Sequence, residues 1–280
     1  MRNTRLGMIV SPEFGRPLPE QIALLGETGF ESFFTHWRPG TDLAPLRRQA
    51  DACGMIFQSV HAPYMRIMEM WEDAQNGRSA AAEMIDCVHA CAENGVPIMV
   101  CHTVCGFTCH NPTPLGIENF ALVVRAAKDA GVQIAFENTE GEEYLAALMD
   151  AFRHESHVGF CWDTGHEQCY NGRDMTALYG DRLIATHLND NLGVWDFGGA
   201  ITSRDDLHLL PFDGAADWAD IAHRLNRCGF DGILTFEVKR QSSRRESDAY
   251  RRMSLEEYFA ETYKRACRLA RMVQRDRGEY

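Results

Sequence analysis

Long hydrophobic runs are missing from this 280-residue sequence. No apolar stretch approaches the roughly 18 to 20 residues that a membrane-spanning helix needs. The apolar stretch 6–10, which follows a basic N-terminus, is too short for the hydrophobic region of a secretory signal peptide. These absences predict a chain that has no membrane partner and works in the cytoplasm.

The cysteine spacing of a small disulfide-bonded domain is also absent. Several of the ten cysteines, among them Cys87, Cys101 and Cys161, lie inside apolar runs, as is typical of reduced thiols in a cytoplasmic protein. The sequence contains no glycine-rich phosphate loop, and no linker or low-complexity tract divides the chain. It therefore predicts a single domain over residues 1–280.

Basic charge is scarce in most of the chain. Residues 1–238 hold 16 Lys or Arg against 33 Asp or Glu and are net −17, whereas residues 239–280 hold 12 against 7 and are net +5. An acidic body lacks the basic face that phosphate backbones require, so nucleic acid is not the expected partner. The basic C-terminal segment is interpreted as a solvated helix face.

Eight short apolar runs alternate with stretches of helical spacing. The runs cover 6–10, 31–35, 55–60, 97–101, 132–136, 158–162, 183–186 and 232–236, and the clearest helical stretches cover 80–93 and 117–129. Glycines stand where helices should end, at Gly29, Gly54, Gly95, Gly131 and Gly229. Ser254 and Glu257 have the spacing of a capping box, which predicts a closing outer helix. Eight β-α units in this length predict an α/β fold, a closed (β/α)8 TIM barrel.

Side chains that can bind metal stand at the ends of six consecutive runs, the third to the eighth. They are His61, His102, Glu137, Asp163 with the nearby His166, His187, and Glu237; the second run ends at His36. The carboxyl ends of barrel strands meet at one mouth, so we expect these side chains to form one cluster.

Each residue of this cluster has a structural explanation when it is taken alone. A lone histidine is commonly a hydrogen-bonded core residue, and Asp163 could be the N-cap of a following helix. Three converging carboxylates, however, repel one another unless a cation lies between them. Oxygen and nitrogen donors without cysteine suit zinc, manganese, cobalt or magnesium, so the sequence predicts a divalent metal site.

Three stretches carry a resemblance to a known family: WDTGH at 162–166, HLNDN at 187–191 and DLHLLPFDGAADW at 206–218. They resemble the xylose-isomerase-like barrel superfamily, which includes sugar isomerases, ketose 3-epimerases, inosose dehydratases and endonuclease IV. The resemblance implies that Glu137, Asp163, His187 and Glu237 hold one divalent ion. It also implies that Glu137 and Glu237 act as an acid–base pair on opposite faces of a bound sugar.

The chemistry expected of such a site can be stated from its donors. A metal that chelates two neighbouring oxygens of a hydroxy-carbonyl sugar stabilises an enediolate and makes the adjacent C–H more acidic. A glutamate removes the proton, and its return to the opposite face gives an epimer, whereas return at the neighbouring carbon gives an isomer. The expected function is a metal-dependent sugar isomerase or epimerase of carbohydrate metabolism that acts on a ketose, polyol or related small-molecule sugar.

The alternative function is that of an endonuclease IV-like phosphodiesterase, or AP endonuclease. The chain matches all nine positions that hold three zinc ions in that enzyme, namely His61, His102, Glu137, Asp163, His166, His187, Asp206, His208 and Glu237. The LLPFDG turn and the acidic body favour the isomerase. The sequence leaves open whether His166 binds a metal directly or orients a neighbouring metal ligand. A noncatalytic sugar-binding barrel or complex subunit is a third hypothesis, and the sequence leaves a homo-oligomer open.

Residues after the strands suggest the substrate class. The aromatic residues there are Trp37, Tyr64, Trp71, Trp195 and Phe197, which can stack on a sugar or simply pack. Arg66 and Arg204 are candidates to bind a phosphate or carboxylate, although the missing phosphate loop favours a free sugar or polyol. The predicted substrate-binding residues are His36, Trp37, Tyr64, Arg66 and Trp195.

Overall fold

A computed structural model describes residues 4–108, 111–170, 173–193, 201–241 and 248–279 of the chain. Its eight parallel strands are β1 (Leu6–Ile9), β2 (Ser32–His36), β3 (Ile56–His61), β4 (Ile98–His102), β5 (Gln133–Glu137), β6 (Val158–Asp163), β7 (Leu183–His187) and β8 (Leu234–Phe236). Each strand overlaps one predicted apolar run. Such runs suit strands that are buried on both faces.

The strands form one sheet that closes into a barrel. Neighbours pair in the order β7-β6-β5-β4-β3-β2-β1-β8. β7 and β8 meet through a parallel bridge between Leu188 and Phe236, in which the Leu188 N–H donates to the Thr235 carbonyl at 2.8 Å. The Glu237 N–H donates to the Leu188 carbonyl at 3.2 Å. This closure confirms the (β/α)8 fold and brings Glu237 beside the end of β7.

Helices occupy the connections between the strands. They are α1 (Leu18–Thr28), α2 (Ala44–Cys53), α3 (Ile67–Glu72), α4 (Asn76–Glu93), α5 (Pro114–Ala130), α6 (Glu142–Ala151), α7 (Thr164–Tyr170), α8 (Met175–Tyr179), α9 (Trp218–Arg227), α10 (Asp248–Arg251) and α11 (Leu255–Asp276). The predicted stretches 80–93 and 117–129 lie within α4 and α5. None of the helices in the described ranges is long and apolar enough to cross a bilayer.

The last helix begins and packs as the sequence predicts. The Ser254 hydroxyl accepts a hydrogen bond from the Glu257 N–H at 3.1 Å, and the Glu257 carboxylate accepts one from the Ser254 N–H at 2.8 Å. α11 packs against α1 and α9. Gly29, which ends α1 at a φ of 115°, faces this contact, and a Cβ there would lie 2.6 Å from the Tyr263 ring. The other predicted terminal glycines, Gly54, Gly95, Gly131 and Gly229, also have left-handed φ angles.

The barrel interior has a small apolar layer below its polar mouth. The layer consists of Ile98, Val100, Ala135, Cys161 and Ala185, with Ile184 packed against it. Side chains along a strand alternate between the two faces, so Ala135 and Glu137 share the inner face of β5, as Cys161 and Asp163 share that of β6. The polar strand ends therefore rest on a tightly filled core.

Candidate metal centre

Four of the predicted ligands form one compact group at the barrel mouth. Nδ1 of His187 lies 2.6 Å from Oε1 of Glu137 and 3.0 Å from Oε2 of Glu237. With Asp163, these side chains offer four ligand atoms that all lie within 4.8 Å of one another. All four residues are buried. The group contains three carboxylates and one imidazole, a donor set that suits a divalent ion.

A second group shares Glu137 with the first. Nε2 of His61 and Nε2 of His102 each lie 3.3 Å from Oε2 of Glu137. Nδ1 of His61 lies 2.8 Å from the Ala62 carbonyl, which can only accept, so in the neutral ring Nε2 has a lone pair that faces Glu137. Oε2 of Glu137 is buried without a hydrogen-bond partner in the described ranges. Buried acceptors that face each other fit a cation between them.

A third group comprises His166, Asp206 and His208. The Nε2 atoms of the two histidines lie 3.6 Å and 2.5 Å from Oδ2 of Asp206. Their Nδ1 atoms lie 3.0 Å from the carbonyls of Asn138 and Glu237 respectively, so both rings direct Nε2 at the same carboxylate. His166 also contacts the first group, because its backbone N–H donates to Asp163 at 2.6 Å. The structure thus brings together all nine positions of the predicted three-group arrangement.

Burial and mutual charge set the protonation of these groups. Burial raises the pKa of Asp163 to about 6. Burial alone would also raise the pKa of Glu137, but the charge of His187, which lies 2.6 Å away, holds it well below its usual range. Burial lowers the pKa of His102 to about 4, which leaves this imidazole neutral and able to bind a metal.

Two asparagines that sequence reasoning missed position Asp163. The Nδ2 amide of Asn189 donates to both Asp163 carboxylate oxygens, at 3.1 Å and 3.0 Å. Asn138 donates to the Asp163 carbonyl and accepts from its N–H, each at 2.9 Å. A Cβ on Gly165 would lie 1.8 Å from the Asn189 side-chain oxygen, so this glycine makes room for that amide. Asn189 belongs to HLNDN, and this motif was the only signal that could have indicated its role.

Asp190 holds the loop that carries Asp206 and His208 of the third group. Its carboxylate accepts hydrogen bonds from the backbone N–H groups of Asn191, Phe212 and Ala216 and from the indole N–H of Trp218. His208 and Phe212 have φ angles of 47° and 74°, a region that non-glycine residues rarely adopt. These bonds offset the strain and fix the loop beside β7 and β8.

Two cavities lie beside the ligand groups and share His36 and Arg38 in their walls. One, of about 460 Å³, is also lined by Trp37, Tyr64 and Arg66. The other, of about 480 Å³, is also lined by Glu237 and Lys239. Nε2 of His36 lies 3.2 Å from Oε1 of Glu237, so the cavities meet beside the first ligand group.

Several predicted substrate contacts need qualification. Trp71, expected in an open loop, lies in α3, where it is fully buried and its indole donates to the Thr103 carbonyl at 2.8 Å. Because that side chain is part of the apolar core, it has no exposed face on which a sugar could stack. Arg66 binds Glu69 and Glu83, so its charge is largely neutralised. Trp195 and Phe197 lie outside the described residues.

Comparison with known proteins gives one family match. Residues 19–268 match the model of a family described as xylose isomerase-like TIM barrel. A curated relative, the uncharacterized protein y4fM of Sinorhizobium fredii (strain NBRC 101917 / NGR234), is 35% identical over 159 residues, 54% of this chain and 45% of that protein. The chain therefore matches less than half of this relative's length.

Solved structures share the fold at low sequence identity. D-psicose 3-epimerase from Clostridium cellulolyticum H10, solved with D-tagatose, has a TM-score of 0.74 at 13% identity, and the match covers 96% of this chain and 99% of that one. The structure of the IOLI protein with a bound zinc atom has a TM-score of 0.72 at 15% identity, over 96% and 98% of the two chains. At these identities the similarity shows the barrel fold.

Proposed function

The chain belongs to the xylose isomerase-like TIM barrel family, and from this premise we propose that it is a divalent-metal-dependent sugar isomerase or epimerase. The observation that carries the proposal is the four-residue group in which Glu137 and Glu237 both contact Nδ1 of His187. Of the structures that share the fold, one is a D-psicose 3-epimerase and another, the IOLI protein, contains a bound zinc atom. Both are consistent with this chemistry.

We assign Glu137, Asp163, His187 and Glu237 as the ligands of one Mn, Zn, Co or Mg ion. The three buried carboxylates around one imidazole support this assignment. When bound, the ion would polarise the carbonyl of the sugar and stabilise the enediolate.

The two glutamates are the proposed proton-transfer groups. Glu237 lines the 480 Å³ cavity, whereas Glu137 is fully buried and lines neither of the two cavities. The charge of His187 holds the pKa of both carboxylates well below its usual range in the metal-free chain, and a bound ion would keep them ionised, as a general base requires. Removal of a proton by one glutamate and its return by the other would epimerise a carbon between them, while return at the adjacent carbon would isomerise the sugar.

The remaining assignments concern the substrate and its surroundings. His36, Trp37, Tyr64 and Arg66 line the 460 Å³ cavity and are proposed to contact the sugar, together with Trp195. Cavities of this size suit a small molecule. Nine cysteines in the described ranges are free, which is in keeping with the cytoplasmic location that we propose.

Replacement of Glu237 tests the proposed mechanism. Glu237→Gln keeps the shape of the side chain but removes the base, so turnover of a ketose should fall by about 10²- to 10⁴-fold, with any loss of metal adding to that effect. Solvent deuterium should enter the product at the reacting carbon with the wild-type protein and far more slowly with the variant. Glu118→Gln, at an exposed position on α5, is the matched control and should behave as wild type.

Metal content should be measured by elemental analysis in all three proteins. A ketose that is turned over without solvent exchange would exclude the enediolate route and leave an internal hydride shift. Absence of sugar turnover together with rapid cleavage of abasic DNA would overturn the proposed function.

A metal-dependent phosphodiesterase is the second candidate, favoured by one observation. The groups His61–His102–Glu137 and His166–Asp206–His208 offer ligands for two further ions beside the first. Three adjacent ions can generate hydroxide and hold a phosphate. The net −17 body still lacks a basic surface for DNA. In the experiment above, three ions per chain with DNA cleavage support this candidate, and one ion with deuterium incorporation supports the isomerase.

A further inference from the structure

Two cations stand at the barrel mouth beyond the metal-binding groups. Arg38 and Lys239 line the same 480 Å³ cavity as His36 and Glu237. Each lies two residues after one member of the His36–Glu237 contact, which measures 3.2 Å. Both cations lie just beyond the ends of β2 and β8, in the wall of this cavity.

The charges of these two side chains are available to a ligand. Arg38 is exposed and forms no ion pair with any residue in the described ranges. Lys239 has one carboxylate contact there, to Asp206 at 3.8 Å, and Asp206 belongs to the third metal-binding group. A cation bound at that group would neutralise Asp206 and free Lys239. Arg66 differs from both, because Glu69 and Glu83 hold it.

Both cations also interact electrostatically with the hydroxyl of Tyr64. Burial raises the pKa of Tyr64, and the charges of Lys239 and Arg38 both act against that rise, so both lie within electrostatic reach of its hydroxyl. Glu13 lines the same cavity from the turn after β1, but it forms no ion pair with either cation within the part of the chain described. The two positive charges thus border a cavity that also contains the proposed base, Glu237.

We propose that Arg38 and Lys239 form an anion subsite and that the substrate is a sugar bearing a carboxylate or phosphate group. The inference rests on the proposed isomerase or epimerase function, since the anion would be held while Glu237 faces the reacting carbon. A guanidinium binds either anion through two parallel hydrogen bonds, and an ammonium adds a point charge. The two side chains would thereby bind the anion that a glycine-rich loop binds in other proteins. This proposal revises the expectation of a neutral sugar.

Binding measurements on the metal-loaded protein test the subsite. D-gluconate, inorganic phosphate, D-fructose 6-phosphate and D-fructose would be titrated calorimetrically into wild type, Arg38→Gln, Lys239→Gln and the double variant. We expect an anionic probe to bind wild type and to lose about tenfold or more in affinity in the double variant, because bonds to charged groups are strong. Binding of gluconate alone would identify the anion of the substrate as a carboxylate. Binding of inorganic phosphate and fructose 6-phosphate alone would identify it as a phosphate.

Arg125→Gln is the matched control for removal of one positive charge, since Arg125 is exposed on α5 and lines neither cavity. Its affinities and metal content should equal those of wild type. Equal binding of the anions to wild type and the double variant, or no binding at all, would overturn the subsite.

Failure of the subsite can be told apart from failure of the proposed function. Deuterium exchange into a neutral ketose without any anion binding would keep the isomerase or epimerase and remove the subsite. Anion binding that is lost in the double variant, in a protein that holds no metal and exchanges no deuterium, would keep the subsite and remove the proposed function.

Discussion

Asn189 is the clearest example of a single residue that supports the proposed metal centre without belonging to it. Its amide donates to both oxygens of Asp163. Groups that orient a metal ligand typically contribute 10- to 100-fold to metal affinity. We therefore expect Asn189→Ala to weaken binding of zinc by a factor in that range while leaving the circular dichroism spectrum unchanged.

The control for this variant is Asn76→Ala, at an exposed position at the start of α4. Its zinc affinity, measured by competition with a chromophoric chelator, should equal that of wild type. Equal affinities for Asn189→Ala and wild type would show that Asp163 does not need this amide.

At the residue scale, the ligand positions could be predicted and their internal contacts could not. Parallel strands end at one edge of a barrel, so a His, Asp or Glu at each run end already indicates a shared site. Which ring nitrogen faces inward depends on carbonyls such as Ala62 O and Asn138 O, which the sequence does not locate. The His36–Glu237 contact joins β2 to β8 across β1, and only the closed barrel reveals it.

The helices that lie outside the barrel are joined by a buried ion pair. Arg224 of α9 donates to both oxygens of Glu167 of α7, at 2.7 Å and 2.8 Å, and to Asp174 before α8 at 2.6 Å. Its guanidinium also lies 4.4 Å from the ring of Trp162. Removing one partner of a buried pair leaves the other charge uncompensated.

We expect Arg224→Met to reduce the free energy of unfolding by about 3–5 kcal/mol, because Glu167 would then remain partly buried without its partner. Arg227→Met is the control: its side chain is 44% exposed and pairs with Asp174 at 2.7 Å, so about 0–1 kcal/mol should be lost. Urea denaturation with a common slope measures both. Equal losses of unfolding free energy in the two variants would show that burial does not strengthen the contribution of the Arg224–Glu167 pair to stability.

At the element scale, local sequence signals were sufficient to predict where helices begin and end. They were insufficient to predict which helices contact one another. The capping box at Ser254 and the glycine after α1 act within a few residues of sequence, so their roles could be predicted. The Arg224 cluster joins residues about 50 positions apart, from Asp174 to Arg224. Charge patterning along one helix contains no information about such a partner.

For the whole molecule, the barrel gathers buried acidic and imidazole side chains at its mouth, and this arrangement should couple the proposed metal binding to pH. Burial raises the pKa of Asp163 to about 6. Burial opposes protonation of His166, but Asp163 and Asp206 raise its pKa well above the ordinary value. Without metal, both groups hold protons more firmly in the folded chain than in the unfolded one. Their contribution to stability is therefore present at low pH and is lost as the pH rises through these values.

A bound divalent ion must displace those protons, so its affinity should rise with pH through about 6 and above. We expect zinc binding to release protons at pH 7.5, as measured by calorimetry in two buffers that differ in ionisation enthalpy. A ligand at about 1,000 times its Kd stabilises the folded state by about 4 kcal/mol. Removal of metal by a chelator should therefore lower the unfolding temperature by several degrees at pH 7.5, and by much less at pH 5.5, where protons replace the ion. An equal change at both pH values, or no proton release, would show that the buried cluster does not exchange protons for metal.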